Sequence, residues 1–398
     1  MNKPVTEFST IAAARADFPA LERWTYMDVA GRGVYSRSVR AAIDSQLDER
    51  MLNGGDKVKF FTLIEDARAR FAQLINAAPD EIAYTKNISD GLNMIATGLD
   101  VKSGDNVIVC PDLEHPNNVY PWLNLRRNGL EVRTVKPREG HIPVDEMIGK
   151  IDSRTRVVTA STVTFAPGFR TGIDTLGQAC RERGVLFLVD GAQSVGVLHT
   201  DVQKSQIDAL AVSTQKGLLG LYGMGFLYCR RECAEKLHPA YLARFGVDLG
   251  EAHEASMGDE EFRLMPAARR FDLGNYNYVG TAAVHASMGE LLGHGTANIE
   301  RYVTQLGHAL AQGFLDLGLP VSGGKPGPHL AHIVTVGTMD DNHYGTGDER
   351  YNRLYAYLGE NRVKLSIRRG VLRFSLHLYN NMDDVARVLD LTRTFLKT

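Results

Sequence analysis

Short apolar runs alternate with helix-like segments over residues 61–229, and this alternation leaves few folds open. The apolar runs, each bounded by turn residues, are 81–84, 106–110, 156–160, 185–189, 209–212 and 225–228. Helical periodicity marks 61–75, 90–99, 118–127 and 175–183. Strands that are apolar on both faces and separated by helices are typical of an α/β fold, a mostly parallel sheet covered by helices. Ligands of such sheets bind at the carboxyl ends of the strands, so the functional residues are expected there.

The pattern changes after about Gly280, where helices become longer and strands fewer. Helices are predicted at 281–292, at 298–317 and from Met382, with strands at 333–336, 363–367 and 371–375. This pattern predicts a smaller α+β domain at the C-terminal end. We expect a large domain at residues 25–275 and a small domain formed by 1–24 and 276–398.

Composition removes several classes of function. The 45 Lys+Arg against 47 Asp+Glu give a net charge of −2, which argues against nucleic acid as the main partner. No apolar run approaches the ~20 residues of a membrane span, and Glu7, Arg15 and Asp17 interrupt any signal-peptide core. We therefore expect a cytoplasmic protein with no membrane contact. The four cysteines form no CxxC pair, so neither a disulfide framework nor a metal site is expected: Cys110, Cys180, Cys229 and Cys233.

Two charged residues follow predicted strands directly. Asp190 ends the run 185–189, where a carboxylate either caps a loop or faces a cationic ligand atom. Lys216 follows the run 209–212, where a lysine is either a solvated charge or, if buried, a candidate Schiff-base amine. Gly217 then allows a tight turn, close approach of a bulky ligand, or both. The spacing of Ser213 and Lys216 also matches the SxxK of serine acyl enzymes, but the strand and loop motifs that accompany it are missing.

Two further positions lie after predicted strands. Ser89 is expected to cap a helix whose first amides form an anion site, although a simple cap explains it equally. His115 follows the run 106–110, where a lone histidine is either structural or catalytic. The turns after these strands have no GxGxxG, which argues against a dinucleotide dehydrogenase.

Taken in order, these motifs resemble the fold-type I pyridoxal-phosphate enzymes of aminotransferase class V. That group includes cysteine desulfurases, isopenicillin N epimerase-like proteins and kynureninase-like lyases. The resemblance runs from about Ala14 to the C-terminus and is fairly specific for the superfamily but not for the reaction. Its motifs are EIAYTKNISDGLN, EHPNNVYPW, VDGAQ, STQK, FDLGNYN and LRFSLHLYNN.

The resemblance implies roles around the cofactor ring, which is that of pyridoxal 5'-phosphate. Lys216 matches the lysine that forms the Schiff base, and Asp190 matches the carboxylate that pairs with the pyridine nitrogen. Gln193 would hydrogen-bond the phenolic oxygen, and His115 would stack on the ring face. Catalytic roles are thus expected for Lys216, Asp190 and His115.

The resemblance also implies how the phosphate is held. The Ile88 N–H, Ser89, Ser213 and Gln215 match its cradle, with Gln215 standing where many relatives have a histidine. Asn275 aligns with a residue that reaches the phosphate of the neighbouring subunit, which implies a homodimer.

Three arginines are candidates for the substrate. Arg373 matches the arginine that binds the substrate α-carboxylate through a bidentate fork. Arg32, in a loop that lines the entrance in relatives, is expected to bind substrate as well. Arg170 either binds a second acidic group or forms a surface ion pair, and the ion pair is also an alternative for Arg32.

Two departures bear on the reaction. Phe165 stands where desulfurases have an asparagine over the phenolic oxygen. The stretch before Arg373 carries no nucleophilic cysteine, and no cysteine occurs after Cys233, so sulfur transfer through a persulfide is not expected.

The expected function is that of an enzyme acting on an amino acid or related amine, with the cofactor stabilising a substrate carbanion. Transamination is favoured on the base rate of the family. A β- or C–S lyase and an epimerase or racemase stay open, and a non-catalytic pyridoxal-phosphate-binding protein is a remote alternative.

Overall fold

The computed structural model of the protein describes residues 9–250, 262–340, 342 and 345–397. Residues 1–8 lie outside these ranges; they include Glu7 and the first part of the expected small domain. The strands are β1 (Thr25–Tyr26), β2 (Ile82–Thr85), β3 (Asn106–Val109), β4 (Glu131–Thr134), β5 (Thr155–Ser161), β6 (Leu186–Asp190), β7 (Ala209–Ser213), β8 (Gly225–Cys229), β9 (Val247–Asp248), β10 (Arg263–Leu264), β11 (Ile333–Val336), β12 (Val363–Lys364), β13 (Ser366–Arg368) and β14 (Val371–Ser375). The helices are α1 (Ser9–Ala14), α2 (Arg37–Asn53), α3 (Lys57–Ile75), α4 (Ile88–Gly98), α5 (Tyr120–Asn124), α6 (Val144–Gly149), α7 (Ile173–Arg183), α8 (Arg231–Ala234), α9 (Tyr278–His294), α10 (Thr296–Asp316), α11 (Glu349–Glu360) and α12 (Met382–Phe395).

A seven-stranded sheet in the order β2-β8-β7-β6-β5-β3-β4 forms the centre of the molecule. Only β8 runs against its neighbours β2 and β7, and the remaining pairs are parallel. The expected mostly parallel α/β sheet is therefore confirmed. All six predicted strands belong to it. The added strand, β4, lies at the sheet edge with its residues exposed or half-buried, so it lacks the continuous apolar run that reveals the central strands.

Burial on both faces explains the near-continuous apolar runs. Val157 and Val158 are neighbours in β5, yet they pack into two different hydrophobic clusters, one on each side of the sheet. Leu188 and Val189 of β6 divide in the same way. Successive side chains of a strand point to opposite faces, so an apolar run of this kind requires a cover on each face.

A second, three-stranded antiparallel sheet has the order β11-β14-β13. The strand predicted at 363–367 is wrong as one element: β12 pairs with β1 in parallel, whereas β13 pairs with β14. The sequence does not reveal this break, because it is set by two different partner strands. A tight turn at Arg369 and Gly370, both with positive φ, joins β13 to β14.

The helix predicted at 118–127 is also wrong as one element. The chain there forms a 3₁₀ turn at Pro116–Asn118, the short α5, and a second 3₁₀ turn at Leu125–Asn128. Pro121 lies in the first turn of α5, where its missing N–H is tolerated but cannot continue a helix from before it. In the described part of the chain, no helix has both the length and the apolar character needed to cross a membrane.

Candidate active site

A cavity of about 220 Å³ opens at the carboxyl ends of the parallel strands. Strands β5, β6 and β7 end there with Ser161, Asp190 and Ser213, because parallel strands place their carboxyl ends at one edge of a sheet. Seven of the predicted site residues line the cavity together: Ile88, His115, Asp190, Gln193, Ser213, Gln215 and Lys216. Phe165 lines it as well.

Lys216 lies in the turn after β7 with its amine in the cavity. Among the described residues, its Nζ has no hydrogen-bond or ion-pair partner. Burial lowers the pKa of Lys216 to about 8, an effect that nearby Arg373 and Arg368 reinforce and Asp190 opposes. Gly217 allows close chain packing: a Cβ there would lie 2.4 Å from the carbonyl oxygen of Val195.

Asp190 is the last residue of β6 and is almost fully buried. Its Oδ1 accepts the N–H of Ala192 at 2.9 Å. Burial raises the pKa of Asp190, while the Ala192 hydrogen bond and the charge of Lys216 oppose that effect. A buried carboxylate of this kind is expected to have a cationic partner.

Gln193 contributes an unsatisfied acceptor. Its Nε2 donates to the carbonyl oxygen of Ala30 at 3.1 Å, while its buried Oε1 has no hydrogen-bond partner in the described structure. Buried polar atoms are nearly always paired, so this oxygen fits a donor group on a ligand.

His115 follows β3 at the mouth of the cavity. Its Nδ1 accepts the N–H of Asn117 at 3.2 Å and so caps the next turn. Its ring meets the Phe165 ring edge-on at 5.7 Å between centroids. The residue is exposed and forms part of the cavity wall.

The amino end of α4 lies beside the cavity, but Ser89 is not its cap. Helix α4 begins at Ile88, and Asn87 caps it by accepting the Asp90 N–H at 3.0 Å. The expected cap at Ser89 is therefore wrong by two residues. The N–H groups of Ile88 and Ser89 belong to the first helical turn, where no intrahelical acceptor exists, so they suit an anion.

Arg373 is fully buried beside the cavity rather than in its lining. Its Nη1 donates to the carbonyl oxygen of Phe165 at 3.0 Å and its Nε to Ser366 Oγ at 3.1 Å. Its Nη2 lies 3.8 Å from Asp28 Oδ1. Burial lowers the pKa of Arg373 to about 10, and Asp28 opposes this effect.

Three other candidates lie away from the cavity. Arg32 lines a separate cleft of about 670 Å³ on the other side of Arg373. Asn275 lines a third cleft, of about 850 Å³, between α3 and the segment before α9. Arg170 is bound to Glu300 at 2.6 Å, so its ion-pair alternative is the one that the structure contains.

Sequence reasoning missed Glu114, which lies behind the cavity wall. Its carboxylate is buried and accepts three hydrogen bonds, two from Ser161 and one from Asn118. Burial and the charge of Asp190 raise the pKa of Glu114 to about 7. The available signal was its position directly before His115, five residues beyond the end of β3.

These atoms fit pyridoxal phosphate. A partnerless amine, a buried carboxylate and an orphaned acceptor face one cavity, and the amino end of α4 supplies the amides that a phosphate requires. The part of the chain that the structure describes contains no group of three or more His, Cys, Asp or Glu side chains able to hold a metal ion.

Comparisons with known proteins identify the family of this chain. The family described as Aminotransferase class-V matches residues 53–388. A probable cysteine desulfurase of Methanothermobacter thermautotrophicus is 32% identical over 294 residues, which are 72% of each chain. An uncharacterised aminotransferase of Bacillus subtilis is 26% identical and covers 94% of this chain and 95% of its own. The apo structure of a cysteine desulfurase from Thermococcus onnurineus has a TM-score of 0.84 at 24% identity, covering 100% of this chain and 99% of its own; this likeness concerns the fold.

Proposed function

The chain belongs to the aminotransferase class-V family and is a pyridoxal-phosphate-dependent enzyme, and within that family we propose that it is an aminotransferase acting on an amino acid or related amine. One observation supports an amino-acid substrate: Lys216 and a buried carboxylate face the same cavity, with a buried arginine directly behind its wall. The choice of transamination rests on the family. The cofactor, when bound, withdraws electrons from the substrate carbon next to the amine.

Lys216 is proposed to bind the cofactor aldehyde and then to move the substrate α-proton. A pKa of about 8 leaves a useful fraction of its amine neutral near neutral pH, as both a nucleophile and a general base require. The Arg373 and Arg368 charges help to keep Lys216 deprotonated. Asp190 is proposed to hold the ring nitrogen in its protonated state, because a buried carboxylate favours a cation beside it.

The phosphate is proposed to lie at the amino end of α4, against the Ile88 and Ser89 amides, Ser213 and Gln215. Gln193 is proposed to hydrogen-bond the phenolic oxygen of the cofactor. His115 is proposed to cover one ring face from the cavity mouth.

Arg373 is proposed to bind the substrate carboxylate. Its guanidinium already joins a cavity residue, Phe165, to Asp28 on the neighbouring cleft. The contact with Asp28, at 3.8 Å, is long for an ion pair, so a substrate carboxylate can replace it with a shorter bidentate pair. Arg32, in the cleft beyond, is proposed to contact the distal part of the substrate.

A homodimer is proposed from a second set of observations. Apolar side chains on α2 and α3 are exposed beside the cleft that holds Asn275; they are Leu47, Met51, Leu52 and Val58. Exposed apolar patches of this kind favour burial against another chain. Asn275 would then reach the cofactor phosphate of the second copy.

Mixing two inactive variants tests this dimer. K216A lacks the amine and N275A lacks the contributed side chain, so neither homodimer has a working site. A heterodimer formed by refolding them together contains one site with both residues, and partial activity is expected. No recovery in a mixture that contains heterodimer would contradict the role of Asn275 across the interface.

A C–S lyase and an epimerase are the alternatives. Similar proteins named as desulfurases favour carbon–sulfur cleavage. A persulfide route has no nucleophile here, because all four cysteines are buried and none follows Cys233. Burial also raises the pKa of Cys110 to about 12, which removes the thiolate that sulfur transfer requires.

A substrate panel separates the three reactions. Purified protein with added cofactor is expected to show the visible absorbance of a lysine-bound cofactor, and K216A is expected to lose it while the surface variant K204A retains it. Incubation with L- and D-amino acids and either pyruvate or 2-oxoglutarate should give amine exchange that depends on the keto acid. Ammonia and a keto acid formed without an acceptor would assign a lyase instead, and inversion at Cα without amine transfer would assign an epimerase.

A further inference from the structure

Glu114 is a buried carboxylate held entirely by neutral donors. Its Oε1 accepts the Ser161 N–H at 2.7 Å and the Ser161 hydroxyl at 3.0 Å. Its Oε2 accepts the Asn118 Nδ2–H at 2.9 Å. All three contacts can donate to the carboxylate, which suits its ionised form.

Glu114 has no counter-ion from the protein. Within the ranges that the structure describes, no Lys, Arg or His nitrogen lies within 4 Å of its carboxylate, and the same holds for Asp190. Burying a charge without an opposite charge is costly, and such groups are rare unless something compensates them. The charge of Lys216 acts on Asp190, but among the described residues neither carboxylate has an ion pair in direct contact, so a further cation beside Asp190 would stabilise both.

Strand register places Glu114 beside Asp190. Ser161, which donates twice to Glu114, is the last residue of β5 and pairs directly with Asp190 of β6. The next residue, Thr162, donates its N–H to the Asp190 carbonyl oxygen at 3.1 Å. Ser161 and Asp190 line the cavity, whereas Glu114 does not. Glu114 thus lies beside the end of β5, behind the part of the cavity wall that Asp190 forms.

We propose that Glu114 is a positioning residue that acts through Asp190: its negative charge strengthens the attraction of Asp190 for a protonated ring nitrogen and fixes the loop that carries His115. This inference rests on the proposed function, in which Asp190 faces that nitrogen. A substrate carbanion is stabilised only while the nitrogen stays protonated, so a second carboxylate behind the first supports the chemistry without touching cofactor or substrate.

The charged and titratable groups around Glu114 are few. Asp190 faces it from β6 and helps to raise the pKa of Glu114 to about 7. Cys110, at the end of β3, has its own pKa raised partly by Glu114, and Lys216 lies beyond Asp190. A cationic ring next to Asp190 lowers the cost of ionising both carboxylates.

The variant E114Q removes the charge and keeps the shape. Reconstituted with cofactor labelled with ¹⁵N at the ring, the wild-type holoenzyme is expected to give the resonance of a protonated nitrogen across neutral pH. In E114Q the pH at which this nitrogen loses its proton should fall by about one unit, a tenfold change that equals about 1.4 kcal/mol. The nitrogen resonance reports its protonation directly and does not depend on turnover.

Three further variants separate charge from structure. D112N removes an exposed charge from the same loop and should leave the nitrogen pKa unchanged. N118A removes one hydrogen bond to Glu114 but leaves the charge, and E114D keeps the charge on a shorter side chain. In both variants the pKa of the ring nitrogen should lie at least halfway from the E114Q value to the wild-type value, even if the variants are less stable.

Each outcome has one meaning. A nitrogen pKa in E114Q equal to that of the wild type overturns the role of Glu114, and so does a fall in E114D or N118A as large as in E114Q. A wild-type ring nitrogen that is unprotonated, or a wild-type protein that binds no cofactor, overturns the role of Asp190 and this inference together.

Discussion

Lys216 should destabilise the apoprotein, and its replacement should make the fold more stable. Burial lowers the pKa of Lys216 from 10.5 to about 8. At 1.36 kcal/mol per pH unit, holding the charged amine in the folded apoprotein costs about 3 kcal/mol. K216M keeps the aliphatic part of the side chain and removes the charge, so the apoprotein of K216M is expected to be more stable at pH 7 by up to about 3 kcal/mol.

The stability difference between K216M and the wild type should depend on pH. The unfolded chain keeps the Lys216 proton up to about pH 10.5, whereas the folded chain releases it from about pH 8. Between these values the unfolded state binds more protons, so wild-type stability rises with pH relative to K216M. The difference in unfolding free energy between K216M and the wild type should stay constant below pH 8. It should narrow by about 2 kcal/mol at pH 9.5, which is 1.5 pH units above the folded pKa.

Urea unfolding of both apoproteins at pH 7 and pH 9.5, followed by far-UV circular dichroism, measures this difference. K204M, in which an exposed lysine is replaced, serves as the control and should show a difference near zero at both values. The reasoning is refuted if K216M is less stable than the wild type at pH 7, or if the difference is the same at the two pH values.

Three other variants test particular contacts. D272A removes from buried Arg68 its 2.8 Å ion pair, in which both side chains are fully buried, and leaves it only the partly exposed Glu65 at 3.3 Å, so thermal unfolding should show a loss of about 3 kcal/mol. R373K cannot form the bidentate fork, so steady-state kinetics should show a KM for the amino acid raised about tenfold or more with the cofactor absorbance unchanged; an unchanged KM would place the carboxylate elsewhere. R170A removes a partly exposed ion pair, so stability should fall by about 0–1 kcal/mol with KM unaffected, and a large rise in KM would restore Arg170 as a substrate ligand.

Local sequence signals identified most of the large sheet and the centre of the site. The predicted strands 106–110, 185–189 and 209–212 are present because each apolar run is long enough to bury both faces. Asp190 and Lys216 were recognisable because each directly follows such a run, and the end of a parallel strand places it at the ligand edge. The division into domains at 25–275 and 276–398 stays a prediction.

Other features had no local signal. Asn87 rather than Ser89 caps α4, and both residue types make good caps, so the choice depends on where the strand before them ends. The segment 363–367 divides because β1 pairs with one part and β14 with the other. Arg170 and Arg32 have similar local sequence contexts, yet among the described residues the fold brings a carboxylate, Glu300, to Arg170 and none to Arg32.

The sequence by itself determined the parallel sheet, the edge at which the site lies, and the residues that face the cavity from the strand ends. These features depend on periodicity and on residues adjacent in the chain. Only the tertiary structure decided that Glu114 stands behind Asp190 and that Arg373 is bound to Phe165 and near Asp28. Such charges act through space on partners far away in the chain, and burial, which sets their strength, exists only after the chain has folded.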